Sequence, residues 1–264
     1  MHQDQLVVVS AMPDELLNLA VDVAREAGAS LRENFRSEKK VDEFAEHDIK
    51  LELDVKTQDM ITERLLSAHP GHAIYGEEGI AGTQGSDHEW IVDPIDGTVN
   101  FFFGIPHFCV SIGLRTKGEL THGVIYDPMM DEMWSVGPGE SANMNGQEIS
   151  VSPRAKLSES IMTIGFSKSK ESIESGLKHY GELAMKVRKT RMLGSAALGM
   201  AYVATGRLDA YIEEVISLWD IAAGIQLVEG AGGKVKVIPR KDTPDKMRVV
   251  AWNGLLPLEE LGVC

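Results

Sequence analysis

From Ile161 to Trp252 the chain alternates between two kinds of segment. Short strand-like runs lie at Ile161–Ile164, Arg191–Leu193 and Leu208–Ile212. Between them, helical spacing covers about Lys170–Arg188, Ala196–Ala204 and Leu218–Glu229. Two further strands, Lys234–Ile238 and Arg248–Trp252, close the series. Each element must bury an apolar face against the next, so this order predicts layered α/β packing.

The first half reads differently. Leu16, Leu17, Ala20, Val21, Ala24, Ala27 and Leu31 recur at helical spacing, predicting a helix from Asp14 to Phe35 with its acidic residues at the favourable end. Arg36–His47 is polar and predicts a loop. Asp54–Ala68 predicts a second helix, ended by His69-Pro70-Gly71. Strands follow at Ala73–Tyr75 and Trp90–Val92. Three strand-like runs between Phe108 and Val136, separated by K-G-E and D-P-M-M-D, predict an antiparallel meander. The expected division is therefore an N-terminal α+β half, residues 1–150, and a C-terminal α/β half, residues 151–264.

Charge narrows the function. A net charge of −14 with scattered basic residues argues against nucleic acid or an anionic membrane as partner. No apolar run is long enough to span a bilayer, and M-H-Q-D-Q-L-V-V-V-S lacks the basic start of a signal peptide. The two cysteines, Cys109 and Cys264, suggest no disulfide framework and fit a reducing cytosol.

The chemistry gathers in W-I-V-D-P-I-D-G-T, where a buried strand runs into Asp93 and Asp96. Pro94 pushes Asp93 towards an extended conformation, Gly97 permits a sharp turn, and Thr98 can start a helix. Both carboxylates should then enter one small volume. Two carboxylates so placed repel unless a cation lies between them, and hard oxygen ligands point to Mg²⁺. For D-x-x-D-G-T in isolation a capped turn is the better reading. The aspartyl-phosphate motif D-x-D-x-T differs by one residue in spacing. Further acids lie in Glu77-Glu78, in Asp220 at the start of an apolar helix, and in Asp48-Ile49-Lys50-Leu51-Glu52-Leu53-Asp54. Taken alone, Asp220 and Asp54 read as helix caps.

Together these segments resemble the inositol monophosphatase family of lithium-sensitive, Mg²⁺-dependent sugar phosphatases. W-I-V-D-P-I-D-G-T-V-N-F, G-I-P-H-F-C-V-S-I-G-L, L-W-D-I-A-A-G, G-E-E, G-S-A-A and R-L-D-A-Y-I-E-E occur in family order between about Asp48 and Gly233. The resemblance implies a layered αβαβα fold and hydrolysis of myo-inositol monophosphate by a metal-activated water. It implies that Glu77, Asp93 and the Ile95 carbonyl hold one Mg²⁺, that Asp93, Asp96 and Asp220 hold a second, and that Glu77 with waters holds a weaker third. Gly97 and Thr98 would receive the substrate phosphate. Asp48 and the Thr98 hydroxyl would orient and deprotonate the water. Gly194, Ser195, Ala196 and Glu213 would face the substrate alcohol, and a homodimer is the family's usual state. Two positions depart from the family pattern: the expected Thr between Asp48 and Asp54 is missing, and Val215 stands where Gly is frequent. The second bears on strict inositol specificity.

Fructose-1,6-bisphosphatase, histidinol phosphatase and 3′-phosphoadenosine phosphatase activities compete within the same fold, and Asn100-Phe101 favours the inositol branch. A metal-binding scaffold without turnover is the alternative of another class; it predicts a broken acidic set. Phe101-Phe102-Phe103 reads as core or dimer contact, and His107, His122 and Cys109 as packed residues.

Overall fold

The computed structural model describes residues 14–45, 48–166, 170–240 and 246–261. The elements run α1 (Glu15–Asn34), β1 (Val41–Ala45), β2 (Asp48–Leu51), α2 (Glu52–Ala68), β3 (Ala73–Gly76), β4 (Gly79–Gly82), β5 (His88–Asp96), α3 (Thr98–Phe102), β6 (Cys109–Thr116), β7 (Glu119–Asp127) and β8 (Glu132–Val136). They continue with β9 (Asn143–Met144), β10 (Gln147–Glu148), β11 (Ile161–Gly165), α4 (Lys170–Lys186), β12 (Lys189–Arg191), α5 (Ala196–Ala204), β13 (Ala210–Ile216), α6 (Leu218–Gly230), β14 (Lys234–Pro239) and β15 (Met247–Trp252).

Two large sheets form. One has eight strands in the order β10-β9-β8-β7-β6-β5-β3-β4, antiparallel except for the β3–β5 pair. The other has five, β12-β11-β13-β15-β14, with β11 parallel to both β12 and β13. Helices α1 and α2 cover the outer face of the first sheet, α5 and α6 lie between the sheets, and α4 packs on the second. The result is the expected αβαβα layering. Helix α1 starts where Asp14 Oδ1 accepts from Leu17 N at 2.9 Å, and its buried Leu17, Ala20, Val23, Ala24, Ala27 and Leu31 form the apolar stripe.

Helix α6 lies very close to the large sheet. Gly113 on β6 and Gly123 on β7 are register partners. A Cβ at Gly123 would fall 2.4 Å from the Ala223 carbonyl oxygen, and one at Gly113 would fall 3.0 Å from Ala222 Cβ. The paired glycines make a flat seat for Ala222-Ala223, and that seat carries the start of α6, with Asp220, towards β5.

The stretch expected as a loop differs from expectation. Val41–Ala45 forms β1 and pairs antiparallel with β2, in a hairpin that joins neither large sheet. Its residues lack the alternating apolar face that reveals a core strand. Strand β4, absent from the sequence reading, is mostly exposed and pairs only with β3 among the described residues. Of the phenylalanine run, Phe101 is buried in the core, Phe102 packs against it, and Phe103 is exposed. His122 is packed as expected, with Nε2 2.9 Å from Asp14 Oδ2. Cys109 is buried and free, and Cys264 lies outside the described residues. Among the described residues no helix is long and apolar enough to cross a membrane.

Candidate active site

The centre of the site is an irregularity in β5. Asp93 pairs with Ser111 and Asp96 with Cys109, so the register slips between them by one residue. In a regular strand, residues three apart point to opposite faces. The extra residue of the bulge returns both carboxylates to one side. Pro94, which cannot donate to a ladder, lies within this irregular stretch. Ile95 N donates back to Asp93 Oδ1 at 3.1 Å and holds the turn.

Asp220 arrives from the facing helix. Ser217 N donates to Asp220 Oδ2 at 2.9 Å, so the capping contact fixes the carboxylate in the first turn of α6. Asp93, Asp96 and Asp220 each offer a carboxylate oxygen, and these oxygens lie within 4.8 Å of one another. Glu77 follows β3, its N–H donating to the Val92 carbonyl at 3.1 Å, and lines the same cavity. The sequence-predicted Asp93, Asp96, Asp220, Glu77, Ile95, Gly97, Thr98, Gly194, Ser195, Ala196 and Glu213 all border one cavity of about 310 Å³.

Some of them are committed to each other. Asp96 Oδ2 accepts from the Ser195 hydroxyl and from Ala197 N at 2.8 Å, and Asp96 Oδ1 accepts from Ala196 N at 3.2 Å. Ser195 also caps α5, its Oγ accepting from Leu198 N at 3.3 Å. Ser195 and Ala196 therefore hold Asp96 with their polar groups while bordering the cavity. Gly194, at φ 77, turns the chain into α5, and its carbonyl accepts from Asn100 Nδ2 at 3.3 Å.

The carboxylate beside Thr98 is Asp54. The Thr98 hydroxyl lies 3.3 Å from Asp54 Oδ1 and 2.8 Å from the Ile95 carbonyl oxygen, both acceptors for its single proton. Asp54 Oδ2 accepts from Leu51 N at 2.7 Å, capping α2. One oxygen thus does the capping that the sequence suggested and the other faces the site. The side chain of Asp48 lies outside the described residues; its backbone begins β2, paired with Ala45. The sequence signal for Asp54 was present, since it too is an acid ahead of a helix.

The electrostatics are those of a site short of positive charge. Burial raises Asp93 well above the usual carboxylate range, and Glu77, Asp96 and Asp220 add to it. Asp96 is raised by burial against the hydrogen bonds that Ser195, Ala197 and Ala196 donate. Burial pushes Asp54 up to about 7 and Glu213 up to about 8. Glu213 accepts from the Tyr211 hydroxyl and fills the space beside Gly165, where a Cβ would overlap its carboxylate.

These shifts predict a pH dependence. Asp54 and Glu213 hold protons more tightly folded than unfolded, where the reference values are 3.8 and 4.5. Their stabilising contribution is full below those unfolded values and is lost as pH rises through about 7 and about 8. In EDTA the urea midpoint should therefore fall between about pH 4 and about pH 8. Glu213→Gln, which cannot ionise, should show a shallower fall. Identical slopes for both proteins would exclude Glu213 as a contributor.

Among the described residues, no Lys, Arg or His lines this cavity. The oxygen-only donor set, its short spacing and its uncompensated charge fit a hard divalent cation.

Known proteins resemble this chain along most of its length. The sequence profile of the inositol monophosphatase family matches residues 12–259. An inositol-1-monophosphatase of Mesorhizobium japonicum is 39% identical over 252 residues, covering 91% of this chain and 92% of that one. The Nus factor SuhB of Pseudomonas aeruginosa is 39% identical over 231 residues, covering 83% and 84%. Among solved structures, the extragenic suppressor protein suhB of Bartonella henselae superposes with a TM-score of 0.82 at 33% identity, covering 89% and 93%. Sequence profile, curated relatives and fold agree: the chain belongs to the inositol monophosphatase family.

Proposed function

We propose that this protein is a Mg²⁺-dependent phosphomonoesterase acting on myo-inositol monophosphates. The observation that carries the reading is a cavity bordered by Glu77, Asp93, Asp96, Glu213 and Asp220 with no basic side chain among the described residues. A phosphate ester entering such a cavity needs cations already held there. Two to three Mg²⁺ would balance the acids, with Glu77, Asp93 and the Ile95 carbonyl holding one and Asp93, Asp96 and Asp220 another. When bound, Mg²⁺ neutralises the phosphate, lowers the pKa of water and stabilises the leaving alkoxide.

The chain's own residues do the rest. Asp54, in contact with Thr98, takes up the proton of the attacking water, a task suited to a carboxyl held near neutrality. Thr98 fixes the direction of that transfer, because its hydroxyl is anchored to the Ile95 carbonyl. Gly97, at φ 93, turns the backbone so that it borders the phosphate end of the cavity. Glu213, anchored by Tyr211, faces the alcohol end and accepts hydrogen bonds from substrate hydroxyls. Exposed Phe103 and Ile105 beside the buried Phe101 support a homodimer contact, and the free buried thiol of Cys109 agrees with a reducing cytosol.

The test is phosphate release, with and without Mg²⁺, from inositol 1-phosphate, fructose 1,6-bisphosphate, histidinol phosphate and 3′-phosphoadenosine 5′-phosphate. Mg²⁺-dependent turnover strongest on inositol 1-phosphate is expected. Preference for another ester would move the substrate and leave the mechanism. No release from any ester would favour the scaffold reading.

A further inference from the structure

The hairpin β1–β2 brings one cation to the edge of the acidic cluster. Lys50 on β2 is ion-paired with Glu78 Oε2, whose side chain is only 6% exposed. The charge of Lys50 also interacts with Glu77 and Asp54. Glu78 is fixed from behind. Its N–H donates to Gln58 Oε1 at 2.9 Å, and Gln58 Nε2 donates to the Gly79 carbonyl at 3.1 Å. Gln58 fills the space beside Gly76, where a Cβ would fall 2.1 Å from Oε1. The Glu78 backbone is thus fixed one residue from Glu77, and the Glu78 carboxylate pairs with the Lys50 ammonium.

An exposed ion pair that only stabilised the hairpin would contribute little and would have no bearing on metal. Here the acidic partner is buried, and two further carboxylates around the lysine belong to the site. Among the described residues the hairpin joins neither large sheet, and the ion pair adds a polar tie to the packing of Ile49 and Leu51 in the core.

We propose that Lys50 is a tethered cation that neutralises the Glu77–Glu78–Asp54 edge and so weakens the binding of the outermost divalent ion at this site. Lys50 acts through these carboxylates and is a positioning residue. The inference rests on the metal-dependent reading above. It predicts that this protein holds its outermost ion less tightly than its carboxylates alone would allow. Removing a unit charge about 7 Å from a divalent ion in a water-like medium changes its affinity about tenfold.

The experiment counts bound Mn²⁺, as a probe for divalent ions, from the electron paramagnetic resonance of the free ion over wild type, Lys50→Met and Lys50→Arg. Lys50→Met should bind its weakest ion about tenfold more tightly or take up one more ion, and Lys50→Arg should follow wild type. Lys50→Gln serves as a second neutral variant should Lys50→Met fail to fold, judged by circular dichroism. An isotherm for the neutral variants identical to wild type would overturn the role of Lys50 and leave the metal site standing. A wild-type protein that takes up no Mn²⁺ would overturn both.

Discussion

Asp93→Asn is expected to abolish turnover and to make the cation-free protein more stable. Asp93 is buried, and its ionised form is opposed by burial and by Glu77, Asp96 and Asp220. Asn keeps an oxygen for the Ile95 N–H, so the turn in β5 survives. What is lost is the charge that draws cations to both proposed positions. We expect kcat/KM to fall by about 10³ or more, the scale of losing several kcal/mol of transition-state stabilisation. We expect the unfolding free energy in EDTA at pH 7–8 to rise by roughly 1–3 kcal/mol, because Asn removes an acid that must keep either a buried charge or a proton that the unfolded chain would release. The rise in Tm that Mg²⁺ produces in wild type should largely disappear in the variant. Phosphate release and thermal melts with and without Mg²⁺ measure all three. A variant that turns over like wild type would remove Asp93 from the site. A less stable apoprotein would show that the cluster is not electrostatically strained.

Arg154→Met should produce the largest loss of stability, far from the chemistry. Asp209 is fully buried at the start of the second sheet's central strand. Its carboxylate accepts from Arg154 Nε at 2.7 and 3.0 Å, from Ile161 N at 2.7 Å, and from the Ser152 hydroxyl. Asn253 Nδ2 donates to the Arg154 carbonyl at 2.7 Å, and Arg154 Nη2 donates to the Gly206 carbonyl at 2.7 Å. This network fastens the segment that enters the second sheet. Removing the guanidinium leaves Asp209 charged and buried without its cation, which costs about 3–5 kcal/mol. If uncompensated charge is the cause, the double variant Arg154→Met/Asp209→Asn should lose less than the sum of the two single variants. Chemical denaturation of the three proteins decides it. Strict additivity would mean that the pair does not act as a unit.

Where the sequence reading succeeded, the information was local. Alternating segments between Ile161 and Trp252 located every helix and strand there, with boundary shifts as at β13, which runs on to Ile216. The apolar periodicity of α1 and the meander from β6 to β8 were equally legible. The acids that meet at the cavity could be named because each lies in a short motif. Where it failed, the deciding contact was remote in sequence. Val41–Ala45 lies within a polar stretch and its partner strand is short, so polarity made it look like a loop. The hydrogen bond from the Ser195 hydroxyl to Asp96 joins residues 99 positions apart, and neither motif alone reveals it.

The sequence by itself determined the layers and the inventory of carboxylates, because periodicity and turn chemistry act over a few residues. The tertiary structure decided which carboxylates work together. The bulge in β5 turned Asp93 and Asp96 to one side, the Gly113–Gly123 seat let α6 bring Asp220 to them, and the packing of α2 set Asp54 beside the Thr98 hydroxyl. Each depends on how closely separate elements approach, and that distance is set by packing between layers, which no single stretch of chain encodes.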